Sequence, residues 1–136
     1  MNHRLIALAL ALTAAAVPQH TYGVILIKEG AVFKYHKGIK DASSPRSAWT
    51  GIDFDDASWL RGKITFYNTA TVDGGTVLSE MKNGDSTVYL RRKFRLSDPT
   101  MLGMGTLQIN ADDGYVAWLN GVEIASLHKP TSTLRY

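Results

Sequence analysis

The chain of 136 residues contains no cysteine. That excludes a disulfide framework, a thiolate nucleophile and any cysteine-ligated zinc or iron–sulfur centre. Stability must then come from burial in a core. Histidine is scarce at four residues, His3, His20, His36 and His128. None stands in an H-x-x-x-H or H-E-x-x-H spacing, and no G-x-S-x-G elbow occurs, so nothing local prepares a metal or a nucleophile. A run long enough to cross a bilayer, about 20 apolar residues, is also missing. Charge of one sign is not in large excess: 15 basic against 12 acidic residues leave +3, too little to predict nucleic-acid binding. No amphipathic helical period of useful length appears, and there is no internal repeat.

What is present begins with the layout of a secretory signal peptide, a membrane anchor or a misassigned start being the competing reading. Arg4 precedes the apolar run 5–12, and Ala14 and Ala16 supply small residues where a signal peptidase reads. The expectation is a signal peptide over 1–16, a lead-in segment over 17–30 and one β-domain over 31–136, secreted or held at the cell envelope with no integral membrane segment after cleavage. Lys28, Lys34, Lys37 and Lys40 make the first mature stretch locally basic, which a solvated strand-and-loop surface accounts for.

Strand signals dominate the remainder. Residues 24–27 and 31–35 read as β-rich, 39–47 as a polar loop closed by Trp49, and 62–67 as a strand with Ile64 and Phe66 on one face. Residues 54–59 read as one helical turn: Phe54 and Trp59 plug the core, Asp55 and Asp56 stay outside, and Gly62 ends it. A short strand is expected around 77–81. Residues 87–96 alternate best, with Val88, Leu90, Arg92, Phe94 and Leu96 facing inward and Tyr89, Arg91, Lys93 and Arg95 on a wet face. An inward Arg92 would need a carboxylate or a carbonyl. A further strand is expected at 106–111. Asp112-Asp113-Gly114 and Asn120-Gly121 are reversal signals bracketing strands at 115–119 and 122–124. About seven or eight short strands punctuated this way indicate an antiparallel β-sandwich or small barrel.

Three segments, in order, resemble galactose-binding-domain-like jelly-roll modules of large secreted bacterial proteins. They are Phe54-Asp55-Asp56-Ala57-Ser58-Trp59, Thr87-Val88-Tyr89-Leu90-Arg91-Arg92-Lys93-Phe94, and the stretch from Asp112 through Tyr115, Val116 and Trp118 to Gly121. The resemblance covers roughly residues 24–130 and implies an all-β antiparallel sandwich of about eight strands. It also implies no catalytic residues and, often, sugar binding by loops at one end. Such modules accompany glycoside hydrolase, phosphoesterase, lamin-tail or adhesive domains. They continue for several strands beyond the place of Pro130, so the domain is expected to be C-terminally incomplete. The motif residues Phe54, Trp59, Leu90, Phe94, Val116 and Trp118 read as core.

A sugar site needs an aromatic face for the pyranose ring and polar groups for its hydroxyls. Tyr67 and Asn68 at the mouth of the long loop, with Asp73 within it, offer that combination; Trp49 is a second platform, better explained as an anchor. The carboxylate pairs Asp55/Asp56 and Asp112/Asp113 fall where turns want Asp. Asp73, Asp85, Asp112 and Asp113 could serve a structural Ca²⁺, but no ligand spacing identifies a site, and no cofactor or metal is expected. The expected role is a non-catalytic extracellular module, carbohydrate-binding through end loops, with a polysaccharide or glycan or neighbouring extracellular domains as partners and no nucleic acid. The alternatives are a structural or protein-interaction module and an N-terminal accessory fragment of a secreted hydrolase.

Overall fold

Residues 23–67, 74–79, 87–98, 105–111 and 113–129 are described by the structure, a computed structural model. The chain is all-β, with seven strands and one short 3₁₀ helix among these residues. Strand β1 (Val32–Lys37) is the middle of a three-stranded sheet, flanked by β2 (Leu60–Lys63) and β5 (Val88–Arg91), both antiparallel to it. Strands β3 (Phe66–Tyr67) and β4 (Thr76–Val77) make a short parallel pair. Strands β6 (Tyr115–Leu119) and β7 (Val122–Leu127) form an antiparallel hairpin. The 3₁₀ helix spans Ala48–Thr50. Among the described residues the sheets are small and separately hydrogen-bonded, and none closes on itself.

The hairpin follows directly from its turn residues. Asn120 (φ 51°) and Gly121 (φ 86°) both adopt the left-handed conformation. A two-residue loop of that kind matches the right-handed twist of its flanking strands, and Asn-Gly tolerates it at least cost. A register shift falls between Ala117 and Trp118.

The central sheet is covered on both faces. On one, Phe33 and Tyr35 of β1 line up with Gly62 and Leu60 of β2, and Tyr35 also lines up with Leu90 of β5. Tyr35 meets Phe66 edge-on at 5.3 Å, which brings β3 and β4 against this face. Gly62 is required by that approach: a Cβ there would lie 2.6 Å from Thr76 Oγ1 and 3.0 Å from Phe66 Cε1. On the opposite face His36 and Tyr89 stand side by side beneath Trp59 and Trp49. Tyr35, Trp59, Leu78 and Tyr89 are the buried residues of the core.

Several expectations require correction. Tyr89 and Arg91 do not lie on a wet face: Tyr89 is buried, and the Arg91 side chain keeps 9% exposure. The reason is that aromatic loop residues cover this second face, so period-2 alternation in β5 separates two covered sides. The β5 ladder stops at Arg91, where its pairing with Lys34 ends, and Phe94 beyond it is exposed rather than core. Residues 24–27 and 105–111 form no strand, and Val24 and Ile25 are exposed. The helical turn expected over 54–59 is reduced to a single turn, closed by the Trp59 amide on the Asp56 carbonyl at 3.0 Å and capped by Asp55, which accepts the Ala57 amide at 2.9 Å; the helix among the described residues is Ala48–Thr50. The signal-peptide segment 1–16 lies outside the described residues.

Candidate functional site

Trp49 is the hub of the covered second face. The loop before it is held by Ser43, whose Oγ accepts the Trp49 amide (3.0 Å) and donates to the Pro45 carbonyl (2.7 Å). The ring so placed touches Trp59 at 6.2 Å, Tyr89 at 5.2 Å and Trp118 at 5.2 Å between centroids. The last contact joins the β6–β7 hairpin to the central sheet.

Arg91 ties the surrounding backbone to that hub. Its Nε donates to Asp56 at 3.0 Å, its Nη1 donates to the Gly51 carbonyl at 3.0 Å and to the Trp49 carbonyl, and the guanidinium lies 5.2 Å from the centre of the Phe54 ring. Lys34, its neighbour across the ladder, donates to the carbonyls of Ala57 (3.3 Å) and Trp59 (3.4 Å). The segment Phe54–Trp59 is therefore latched onto the sheet by two cations, one pairing with a carboxylate and both with main-chain oxygens. Phe54 completes the latch by packing edge-on against Trp59 at 5.7 Å. His36 sits at 5.5 Å from Trp59, and its Nδ1 is buried without a hydrogen-bond partner among the described residues.

Beside this latch the sheet carries an open groove of about 190 Å³, whose lining includes Lys34, Arg61, Arg91, Arg92, Lys93 and Asp56. Arg61, Lys34 and Arg91 occupy one row across β2, β1 and β5, so the three side chains leave the same face. Arg92 is exposed and donates to the Val32 carbonyl. The expected wet row of basic residues is thus replaced by a basic corner. Its signal in the sequence was spread over three strands, and only their register joins Arg61 and Lys34 to the 91–93 run.

Of the expected sugar-binding residues, Tyr67 ends β3, pairs with Val77 and is half-buried, with its ring laid against Gly75. Asn68 and Asp73 lie outside the described residues. Of the four loop carboxylates weighed for calcium, Asp113 alone is described, and its carbonyl accepts from His128 Nδ1 at 2.6 Å. Among the described residues no group of three or more His, Asp or Glu side chains is placed to hold a metal, and no helix is long and apolar enough to cross a membrane.

No family model matches the chain, and neither a curated protein nor a solved structure with significant similarity was found.

Proposed function

We propose that this chain is a non-catalytic, exported carbohydrate-binding module built as a galactose-binding-domain-like jelly-roll sandwich. The scaffold reading is supported by the convergence of the three resembling segments: Trp59, Tyr89 and Trp118 each pack on Trp49, and Arg91 pins Phe54 and Asp56 beside them. Segments far apart in sequence that share one cluster behave as parts of one packed design.

The observation that carries the binding reading is the position of Tyr67. It ends the β3 ladder, only half-buried, at the entry to the 68–73 segment. An aromatic residue packed against a glycine and only half-buried is the kind of surface on which a pyranose stacks. The test is retention of the purified chain on neutral polysaccharide, galactan and dextran among them. Tyr67→Ala is expected to weaken binding about tenfold, equivalent to about 1.4 kcal/mol. Absence of binding by the parent chain, or an unaffected Tyr67→Ala variant, overturns it.

One observation favours the second reading, a protein-interaction module. Leu119, Val122, Ile124 and Leu127 on the hairpin are all exposed. Contiguous apolar residues of this kind mark contact surfaces. A concentration-dependent sedimentation coefficient, abolished by Val122→Lys with Ile124→Lys, distinguishes this reading from the first.

A further inference from the structure

We infer that the groove beside β1 and β5 is an acid-group site, which takes the sulfate ester or uronate carboxylate of an acidic glycan. It is separate from Tyr67 and rests on the carbohydrate reading only for the polymer that carries the acid group.

The argument starts from an unfavourable feature of the sheet. Like charges directly opposite each other on antiparallel strands repel, their Cβ atoms standing about 5 Å apart. Lys34 faces Arg61 on one side and Arg91 on the other, so three cations share one row. Arg91 is relieved by Asp56, at 3.0 Å. Among the described residues Lys34 has only carbonyl acceptors and Arg61 has no ion pair. Arg92 and Lys93 add two exposed cations to the same groove, with Asp56 as its one carboxylate among the described residues. Among the described residues, five positive charges against one negative therefore converge on about 190 Å³ of open space.

A bound oxyanion removes the repulsion that the fold leaves in place. The guanidinium groups of Arg61 and Arg92 suit the planar or tetrahedral oxygens of a carboxylate or sulfate, and Lys93 contributes a mobile point charge. The groove is small enough to hold one acid group with part of its sugar and too open to enclose a free metabolite. It is also next to the latch, so Lys34 and Arg91 are immobilised before any ligand arrives, which lowers the ordering cost of binding. A nucleic acid would supply the same charge, but stacking of unpaired bases needs exposed rings. The one aromatic residue in the groove's described lining, Phe33, is half-buried, as is Phe54 over Arg91, and Trp59 and Tyr89 beside the row are buried, so no fully exposed ring stands in it.

The experiment is affinity electrophoresis of the full chain in gels containing dextran sulfate, polygalacturonate, neutral dextran or oligothymidylate, at several salt concentrations. Retardation by dextran sulfate or polygalacturonate is expected, and which of the two is stronger identifies sulfate or carboxylate as the group held. Arg61→Gln with Lys93→Gln should weaken that binding at least about tenfold and reduce the slope of log K against log salt by about one to two. Both side chains are exposed, so the thermal midpoint should be unchanged; Arg61→Lys with Lys93→Arg keeps the charge and should restore binding. Equal binding by the Gln variant, no retardation in either acidic polymer, or oligothymidylate bound as tightly as both glycans overturns the inference. A Tyr67→Ala chain that loses neutral dextran but keeps the acidic polymer separates the two sites.

Discussion

Replacing Arg91 by Met tests the packing on which the fold depends. The substitution keeps an unbranched apolar stem and deletes the guanidinium, which in the structure serves Asp56, the carbonyls of Trp49 and Gly51, and the face of Phe54. Removing one partner of a buried ion pair costs about 3–5 kcal/mol, because the other charge is left without compensation. Asp56 keeps 18% side-chain exposure and can be partly rehydrated, which places the cost at the lower end. Loss of the bonds to the part-buried Trp49 and Gly51 carbonyls, the second of which keeps the Phe54 amide at 3.4 Å, prevents it from falling much further. The expected loss is about 3 kcal/mol, which at roughly 4 °C per kcal/mol for a domain near 100 residues lowers the melting midpoint by roughly 12 °C. Arg91→Lys should recover part of this, since an ammonium reaches the carboxylate but cannot fork to both carbonyls. Arg91→Met combined with Asp56→Asn should cost at least about 1 kcal/mol less than the sum of the single changes. Urea denaturation followed by tryptophan fluorescence measures all four. An Arg91→Met cost under about 0.5 kcal/mol, the range of an ordinary surface change, would refute the latch and return Arg91 to a wet sheet face.

Two further outcomes follow from other contacts. Trp118→Ala should destabilise the chain by about 2–3 kcal/mol, below the value for a fully buried tryptophan because Trp118 is half-buried, and should flatten the near-ultraviolet circular dichroism signal as the Trp49 pair is lost; an unchanged signal would mean that the hairpin does not dock there. The Glu123 carboxyl is held below its ordinary value of 4.5, first by the hydrogen bond from Lys129 at 2.6 Å, so folding favours its ionised form. That contribution is complete above the unfolded carboxyl's pKa and disappears as the pH falls through the lower folded value; an NMR titration should place the Glu123 midpoint below that of a free glutamate and return it upward in Lys129→Ala, and a midpoint at or above the ordinary value would remove the Lys129 contact from the account.

Some of this was readable along the chain because it depends on neighbours in sequence. The Asn120-Gly121 reversal, the strands around it and the turn capped by Asp55 rest on local backbone preferences. Trp59 as a core plug was readable too, since a tryptophan between two polar stretches has few other places to go. The faces of β5 were not. Alternation separates two sides of a strand but does not say that both are covered, and here Phe66 lies over one side of the sheet and Trp49 and Trp59 over the other. The truncation of β5 at Arg91 was not readable either: its pairing stops at Lys34 although β1 continues to Val32 against β2.

Sequence alone determined that this chain is built from short strands, where it reverses, and that it has no thiol chemistry, because each of these depends on residue type and nearest neighbours. Only the tertiary structure decided that Arg91 is a part-buried strut and that Arg61, Lys34 and the 91–93 run make one basic corner. Cross-strand register sets those distances, and register is a property of paired strands that no single segment contains.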